Sequence, residues 1–200
     1  LFYHLNAKIL KRAKSLIRKD QKIFAMINFK EIKNFQQIDR LLADKIKVLD
    51  GIRFAVPPTK MNDLNRIINK ISKKYNYLSI NVNLMYLSKW INDKKILSKL
   101  FQNFSKNISV ISFVDSHGAL VPEQIKKFLC EVKNKNTDQI KIGTHLHNNC
   151  GLALANSLAA YTTGCEIIDT TFTGMGRGAG NAETELLLAN LSDKNNKISG

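Results

Sequence analysis

The chain has 200 residues, 44% hydrophobic and 24% charged, enough apolar material for one globular domain with a substantial core. No apolar run approaches the roughly 20 residues of a membrane span, so no membrane partner is predicted. The net charge of +15 comes from 31 Lys and Arg against 16 Asp and Glu. These cations are spread over every expected helix and travel with Asn and Ile, as in a lysine-biased proteome. They are not interleaved with aromatics on one surface, which predicts a solvated basic exterior and no nucleic-acid site. A positive field still favours an anionic substrate.

In chain order, residues 5–19 carry Leu5, Ile9, Leu10, Ala13, Leu16 and Ile17 at helical spacing, with basic residues on the other face. This predicts a surface helix packed on a core. Short apolar runs then predict buried strands: Ile23–Asn28, Gly51–Val56 (stopped by Pro57-Pro58), Leu78–Met85, Ile108–Val114, Ile140–His147 and Glu166–Phe172. Helical patterns lie between them, including Met61–Lys73 and Pro122–Lys133, the latter with Pro and Glu in its first turn. A strand and a helix repeating at this period make a βα unit, and continuous apolar strands indicate a parallel sheet. Spacing alone allows an open doubly wound sheet or part of a barrel, since a complete barrel needs about 250 residues. The chain opens on Leu1 and ends on Gly200 in a polar stretch, so it reads as a piece of a longer protein. Cys130, Cys150 and Cys165 are odd in number and widely spaced, which argues against disulfides and zinc thiolates and predicts a reducing cytoplasm.

Three motifs carry chemistry. In Thr144-His145-Leu146-His147-Asn148-Asn149, the two histidines are two apart on a strand and point to the same side. Two imidazoles on one edge suit a divalent metal; the bland alternative is a polar sheet end with no metal. The run 173–181 (TGMGRGAGN) places four of ten glycines within seven residues, after a strand and before the helical run Glu183–Asn190. Such a loop brings backbone N–H groups close to a ligand. Asp115-Ser116-His117 cannot form a Ser/His/Asp relay, because consecutive strand residues alternate in direction. Ser116 is better read as a hydrogen-bond donor to substrate, and His117 as a loop residue, acid–base work being its alternative. Arg53, in the apolar strand GIRFAV, needs a partner: an internal ion pair is expected, an anionic substrate being the alternative.

The segments VDSHGALVPEQI, GTHLHNNCGLALANSLAAYTTGC and IDTTFTGMGRGAGNAETELL resemble the sixth, seventh and eighth strands of the DRE-TIM metallolyases, the HMGL-like group. That group includes 4-hydroxy-2-oxovalerate aldolases, isopropylmalate and homocitrate synthases, and hydroxymethylglutaryl-CoA lyases. GIRFAV, INVNLM and FAMINF are similar to its fourth, fifth and third strands. The resemblance implies an α/β fold, a (β/α)8 TIM barrel of which residues 1–200 cover strands three to eight, with the first two βα units lying before Leu1. It implies His145 and His147 as metal ligands, Asn181 as a ligand or support from the glycine loop, and Ser116 as a contact to a keto acid. Gly176 and Gly178 are expected to bind the anionic end of the substrate through their backbone. The family's first-strand aspartate ligand and arginine are absent, since no Leu-Arg-Asp-Gly run occurs. The Gly-Arg-Gly-Ala-Gly-Asn loop, and Asn83 where synthases carry a carboxylate, favour the aldolase branch.

The expected function is therefore a metal-dependent aldolase that cleaves a 4-hydroxy-2-oxo acid to pyruvate and an aldehyde, with Mn2+ as the ion ahead of Mg2+, Co2+ or Zn2+. The resemblance leaves room for a homo-oligomer or a partner dehydrogenase. The alternatives are an acyl-CoA-dependent Claisen synthase and a basic scaffold protein on a decayed barrel.

Overall fold

The computed structural model describes residues 6–136 and 140–195. Six parallel strands form one sheet in the order β1 to β6: β1 Phe24–Asn28, β2 Gly51–Val56, β3 Ser79–Leu84, β4 Val110–Asp115, β5 Lys141–Leu146 and β6 Ile167–Asp169. The helices are α1 Ala7–Leu16, α2 Phe35–Leu42, α3 Met61–Lys74, α4 Leu87–Trp90, α5 Lys94–Asn103, α6 Pro122–Lys135, α7 Ala153–Thr162 and α8 Thr184–Asn195. All six strands fall where the apolar runs predict them. The sixth is shorter than expected, because the chain leaves the sheet after Asp169 and turns through a short 3-10 segment at Phe172–Gly174.

Strictly sequential strand order distinguishes this fold from a doubly wound sheet, whose order reverses at a switch point. Curvature is shown by an ion pair. Arg53 on β2 and Asp169 on β6 are four strands apart, about 19 Å in a flat sheet, yet Nη1 and Oδ2 are 2.5 Å apart. The sheet curls so far that opposite strands meet, as in a (β/α)8 barrel.

Strand periodicity divides the chemistry between two faces. Ile52, Phe54 and Val56 of β2, Ile80, Val82 and Leu84 of β3, and Ile111 and Phe113 of β4 are buried and belong to one hydrophobic core with the helices. The alternate residues, Arg53, Asn81, Asn83, Ser112 and His145, lie on the concave side in adjacent registers. The helices present matching stripes: Met61, Leu64, Ile68 and Ile71 of α3, and Ile125, Phe128, Leu129 and Val132 of α6. Pro122 and Glu123 occupy the first turn of α6, as their types favour.

The N-terminal helix departs from expectation. It spans Ala7–Leu16, shorter than 5–19, with Asn6 Oδ1 capping Ile9 N at 2.9 Å. Leu5 falls outside the described residues. Only Leu10 is buried, and Ile9 and Leu16 stay exposed. The helix is tied to the sheet by charge: Lys14 Nζ meets Asp50 Oδ2 at 2.5 Å, and Asp50 also accepts from Ile23 N at 2.8 Å. No helix among the described residues is long and apolar enough to cross a membrane.

Candidate active site

The site forms where the strands end at their C-terminal edges. Because β5 alternates, His145 and His147 share one side, and their ring centroids are 5.3 Å apart in a tilted arrangement. Both line a cavity of about 490 Å³ together with Asn28, Asn83, Tyr86 and Arg177.

The His145 imidazole is held from behind. His145 Nδ1 lies 3.2 Å from Asp169 Oδ2, the same oxygen that meets Arg53. A carboxylate accepts only, so in the neutral tautomer this contact selects, the proton is on Nδ1 and Nε2 is the nitrogen left to ligate. Burial alone would raise the Asp169 carboxyl. Hydrogen bonds from His145 and Arg53 outweigh it and hold Asp169 below the usual range, ionised. The His147 ring stands beside Arg177 at the cavity wall. Burial, then repulsion from His145 and Arg177, pushes its pKa below the ordinary histidine value, so the ring is neutral near pH 7. Histidine binds metal through a neutral ring whose second nitrogen is anchored; Asp169 supplies that anchor for His145.

The glycine loop docks on the end of β5. His147 and Asn181 form an antiparallel bridge, and Asn148 N donates to Gly180 O and Ala182 N to Leu146 O. Asn181 closes the loop on itself: its backbone N donates to Gly174 O and its Nδ2 to Met175 O, both at 2.9 Å. Two glycines permit this. A Cβ on Gly176 would collide with the Asn181 amide, and Gly180, at φ +89°, would drive one into the Gly174 carbonyl. Gly176 thus makes room for Asn181. The Asn181 Oδ1 is buried and has no partner, as is Asn83 Oδ1.

Ser116, His117 and Asp115 go three ways, as strand alternation requires. Asp115 Oδ2 accepts from Leu120 N at 2.9 Å, and His117 Nδ1 lies 3.1 Å from Ser88 Oγ. Ser116 Oγ accepts from Tyr86 N at 3.0 Å, which leaves its own hydrogen to donate. Tyr86 adopts a left-handed backbone, φ 64°, uncommon for a bulky residue and a mark of a position the surroundings hold in place. Its hydroxyl is 3.1 Å from Lys30 Nζ.

The two imidazoles and the orphaned Asn181 oxygen are chemically a fit for a divalent cation. No third His, Cys, Asp or Glu completes a metal-holding group among the described residues. Asp169 and Tyr86 escaped the sequence reading. The available signal for Asp169 was charge: Arg53 in an apolar strand demands an acid, and Asp169 is one of the few acids within the other strands.

The HMGL-like family model matches residues 59–199, and the chain belongs to that family. It is 38% identical over 113 residues to a 4-hydroxy-2-oxovalerate aldolase of Pelotomaculum thermopropionicum, an alignment covering 55% of this chain and 32% of the relative. A solved structure of the N-terminal domain of a candidate aldolase from Bacteroides vulgatus superimposes with a TM-score of 0.86 at 33% identity, over 97% of this chain and 62% of that one. An HMG-CoA lyase from an Acinetobacter species, solved with coenzyme A and 3-methylmalate, shares the fold at 19% identity and TM-score 0.69, over 94% of this chain and 66% of that one. The chain therefore spans about a third of the Pelotomaculum relative's length and under two thirds of the Bacteroides domain.

Proposed function

We propose that the protein is a divalent-metal-dependent aldolase, cleaving a 4-hydroxy-2-oxo acid to pyruvate and an aldehyde. The observation that carries this reading is a pair of imidazoles, His145 anchored from behind by Asp169, beside an unpartnered amide oxygen, in a chain whose relatives include several named 4-hydroxy-2-oxovalerate aldolase. His145, His147 and Asn181 would hold the ion, with Mn2+ as the proposed species. A bound divalent cation would supply Lewis-acid polarisation of the 2-oxo group.

The chain's own groups then have defined tasks. Asp169 and Arg53 keep the His145 ring in one tautomer and orientation. Ser116, its oxygen occupied by the Tyr86 N–H, donates its hydrogen to the substrate carboxylate. The Asn83 side chain faces the same cavity and is positioned to hydrogen-bond the 2-oxo oxygen as charge develops there. The Gly176 and Gly178 backbone is a further proposed contact for the anionic end. The C3–C4 bond breaks as the 4-hydroxyl proton passes to solvent and C4 leaves as the aldehyde carbonyl. The bond's electron pair moves to C3 and is delocalised onto the 2-oxo oxygen, and a proton returned from solvent to C3 completes pyruvate, so no proton is gained or lost overall.

The test is pyruvate release from 4-hydroxy-2-oxovalerate by the full-length protein, before and after chelation and after Mn2+ is restored. Metal-dependent release is expected. Consumption of acetyl-CoA with a keto acid, with hydroxy-oxo acids inert, would replace this reading with a Claisen synthase. Inertness toward both would favour a scaffold.

A further inference from the structure

A second depression opens beside the cavity. It has a volume of about 550 Å³ and lies between the loop that follows β1 and the outer face of α3. Five of its thirteen lining residues are cationic, Lys30, Lys33, Lys60, Arg66 and Lys70, against 31 Lys and Arg in 200 for the whole chain. The enrichment is more than twofold, so the groove is not an even sample of a basic surface. Its sole acid, Asp63, is already engaged by Lys60 at 3.5 Å and Arg66 at 3.8 Å. The clustering follows from the fold. Residues 60, 63, 66, 67 and 70 fall on one side of α3, since positions three and four apart are neighbours on a helix. The 29–36 turn sets Lys30 and Lys33 opposite them. The cationic row on α3 runs about 15 Å, ten residues of helical rise.

Lys30 and Pro57 line both this groove and the cavity of His145 and His147, so the two adjoin. The Lys30 ammonium stands at the junction, held by the Tyr86 hydroxyl and ring. A groove lined by one sign of charge concentrates counter-ions, and phosphate oxygens are strong acceptors for Lys and Arg. The floor, Phe29, Ile32 and Ile67, offers apolar contact to a carbon chain.

We propose that this groove is the subsite for a phosphate monoester at the end of the substrate remote from the keto acid. The substrate class is then a phosphorylated 4-hydroxy-2-oxo acid, its reacting end at His145 and His147 and its phosphate between Lys33, Lys60 and Arg66. The identity of the reacting end rests on the aldolase reading above; the groove itself does not.

Gluconate and 6-phosphogluconate test this without turnover, because neither has the 2-oxo group that cleavage needs and they differ only in the phosphate. Calorimetry on the full-length, metal-loaded protein is expected to show 6-phosphogluconate binding about tenfold or more tighter, the worth of one hydrogen bond to a charged group. That advantage should vanish in K60Q/R66Q and survive in K126Q/K127Q, which removes the same charge from the exposed side of α6. Equal binding of the two ligands overturns the proposal. So does an advantage that survives K60Q/R66Q, or one that K126Q/K127Q abolishes equally. Inorganic phosphate binding as tightly as 6-phosphogluconate, with the same dependence on Lys60 and Arg66, would make the groove a free-anion site and also overturn it. A phosphate advantage in a protein that releases no pyruvate from any hydroxy-oxo acid would leave the groove standing and remove the aldolase reading alone.

Discussion

Arg53 and Asp169 are separated by 116 positions in sequence and four strands in the sheet, yet they share an ion pair of 2.5 Å on the concave side of the barrel. The same Asp169 oxygen reaches His145, so the pair that bridges the curled sheet also orients one of the two imidazoles proposed to hold metal.

Asp169→Asn is expected to weaken metal binding by about 10- to 100-fold, the usual effect of losing the partner behind a ligating histidine, and, by leaving the Arg53 guanidinium without its anion, to cost about 3 kcal/mol of stability as well. Co2+ titration of the full-length protein, followed by its visible absorption, measures this directly. Unchanged affinity would show that Asp169 serves the barrel and not the ion. Arg53→Met leaves a mostly buried carboxylate without its cation and should cost about 3 kcal/mol of stability, read as a shift in the urea midpoint.

His147→Ala and Asn181→Ala each remove one proposed ligand. His147→Ala should abolish metal-dependent pyruvate release with little change in thermal stability, because the ring is already neutral and lines a cavity. Asn181→Ala also breaks the bond to the Met175 carbonyl. It should therefore both lower metal affinity and raise protease sensitivity in the glycine loop.

Gly180→Ala places a methyl group against the Gly174 carbonyl at a left-handed backbone position. The loop cannot close as it stands, and about 1–3 kcal/mol of strain is expected. Because Asn181 follows directly, metal affinity should fall together with stability. A variant that loses stability and keeps its metal affinity would separate the loop from the ion.

Acid should loosen the attachment of the N-terminal helix. Burial raises the Asp50 carboxyl, but the hydrogen bonds from Lys14 and the Ile23 N–H outweigh it, and its pKa lies below the ordinary value. A carboxyl lowered on folding contributes stability that is fully present above its unfolded pKa of about 3.9, and lost as pH falls through the folded value. Urea midpoints between pH 7 and pH 2 should therefore be higher for wild type than for Asp50→Asn at neutral pH, and converge in acid. Parallel curves throughout would show that the pair contributes nothing.

Residues 1–200 produced alone are expected to bind metal weakly, to turn over no substrate and to aggregate. Among the described residues β1 and β6 each pair on one side only, and Met26 on β1 is 45% exposed; unpaired edges and uncovered apolar groups promote association. Light scattering and pyruvate release, compared with the full-length protein, give the answer. A monomeric fragment with full turnover would refute the assignment of the site.

The sequence by itself determined the local periods. Apolar runs at a βα spacing marked all six strands, alternation put His145 and His147 on one side, and the same rule denied Asp115, Ser116 and His117 a relay. Each of these depends on neighbours a few residues apart. It also required a partner for Arg53 without naming one. Tertiary structure alone decided what distant segments do to each other. Asp169 became the support of His145 because β6 lies beside β5 and the sheet curls back to β2. Tyr86 holds Ser116 through a backbone conformation with no sequence signature. The lysines read as evenly scattered along the chain, yet α3 and the turn after β1 bring five cations around one groove. A one-dimensional pattern records which face of its own element a residue occupies; the curvature of the sheet determines which faces meet.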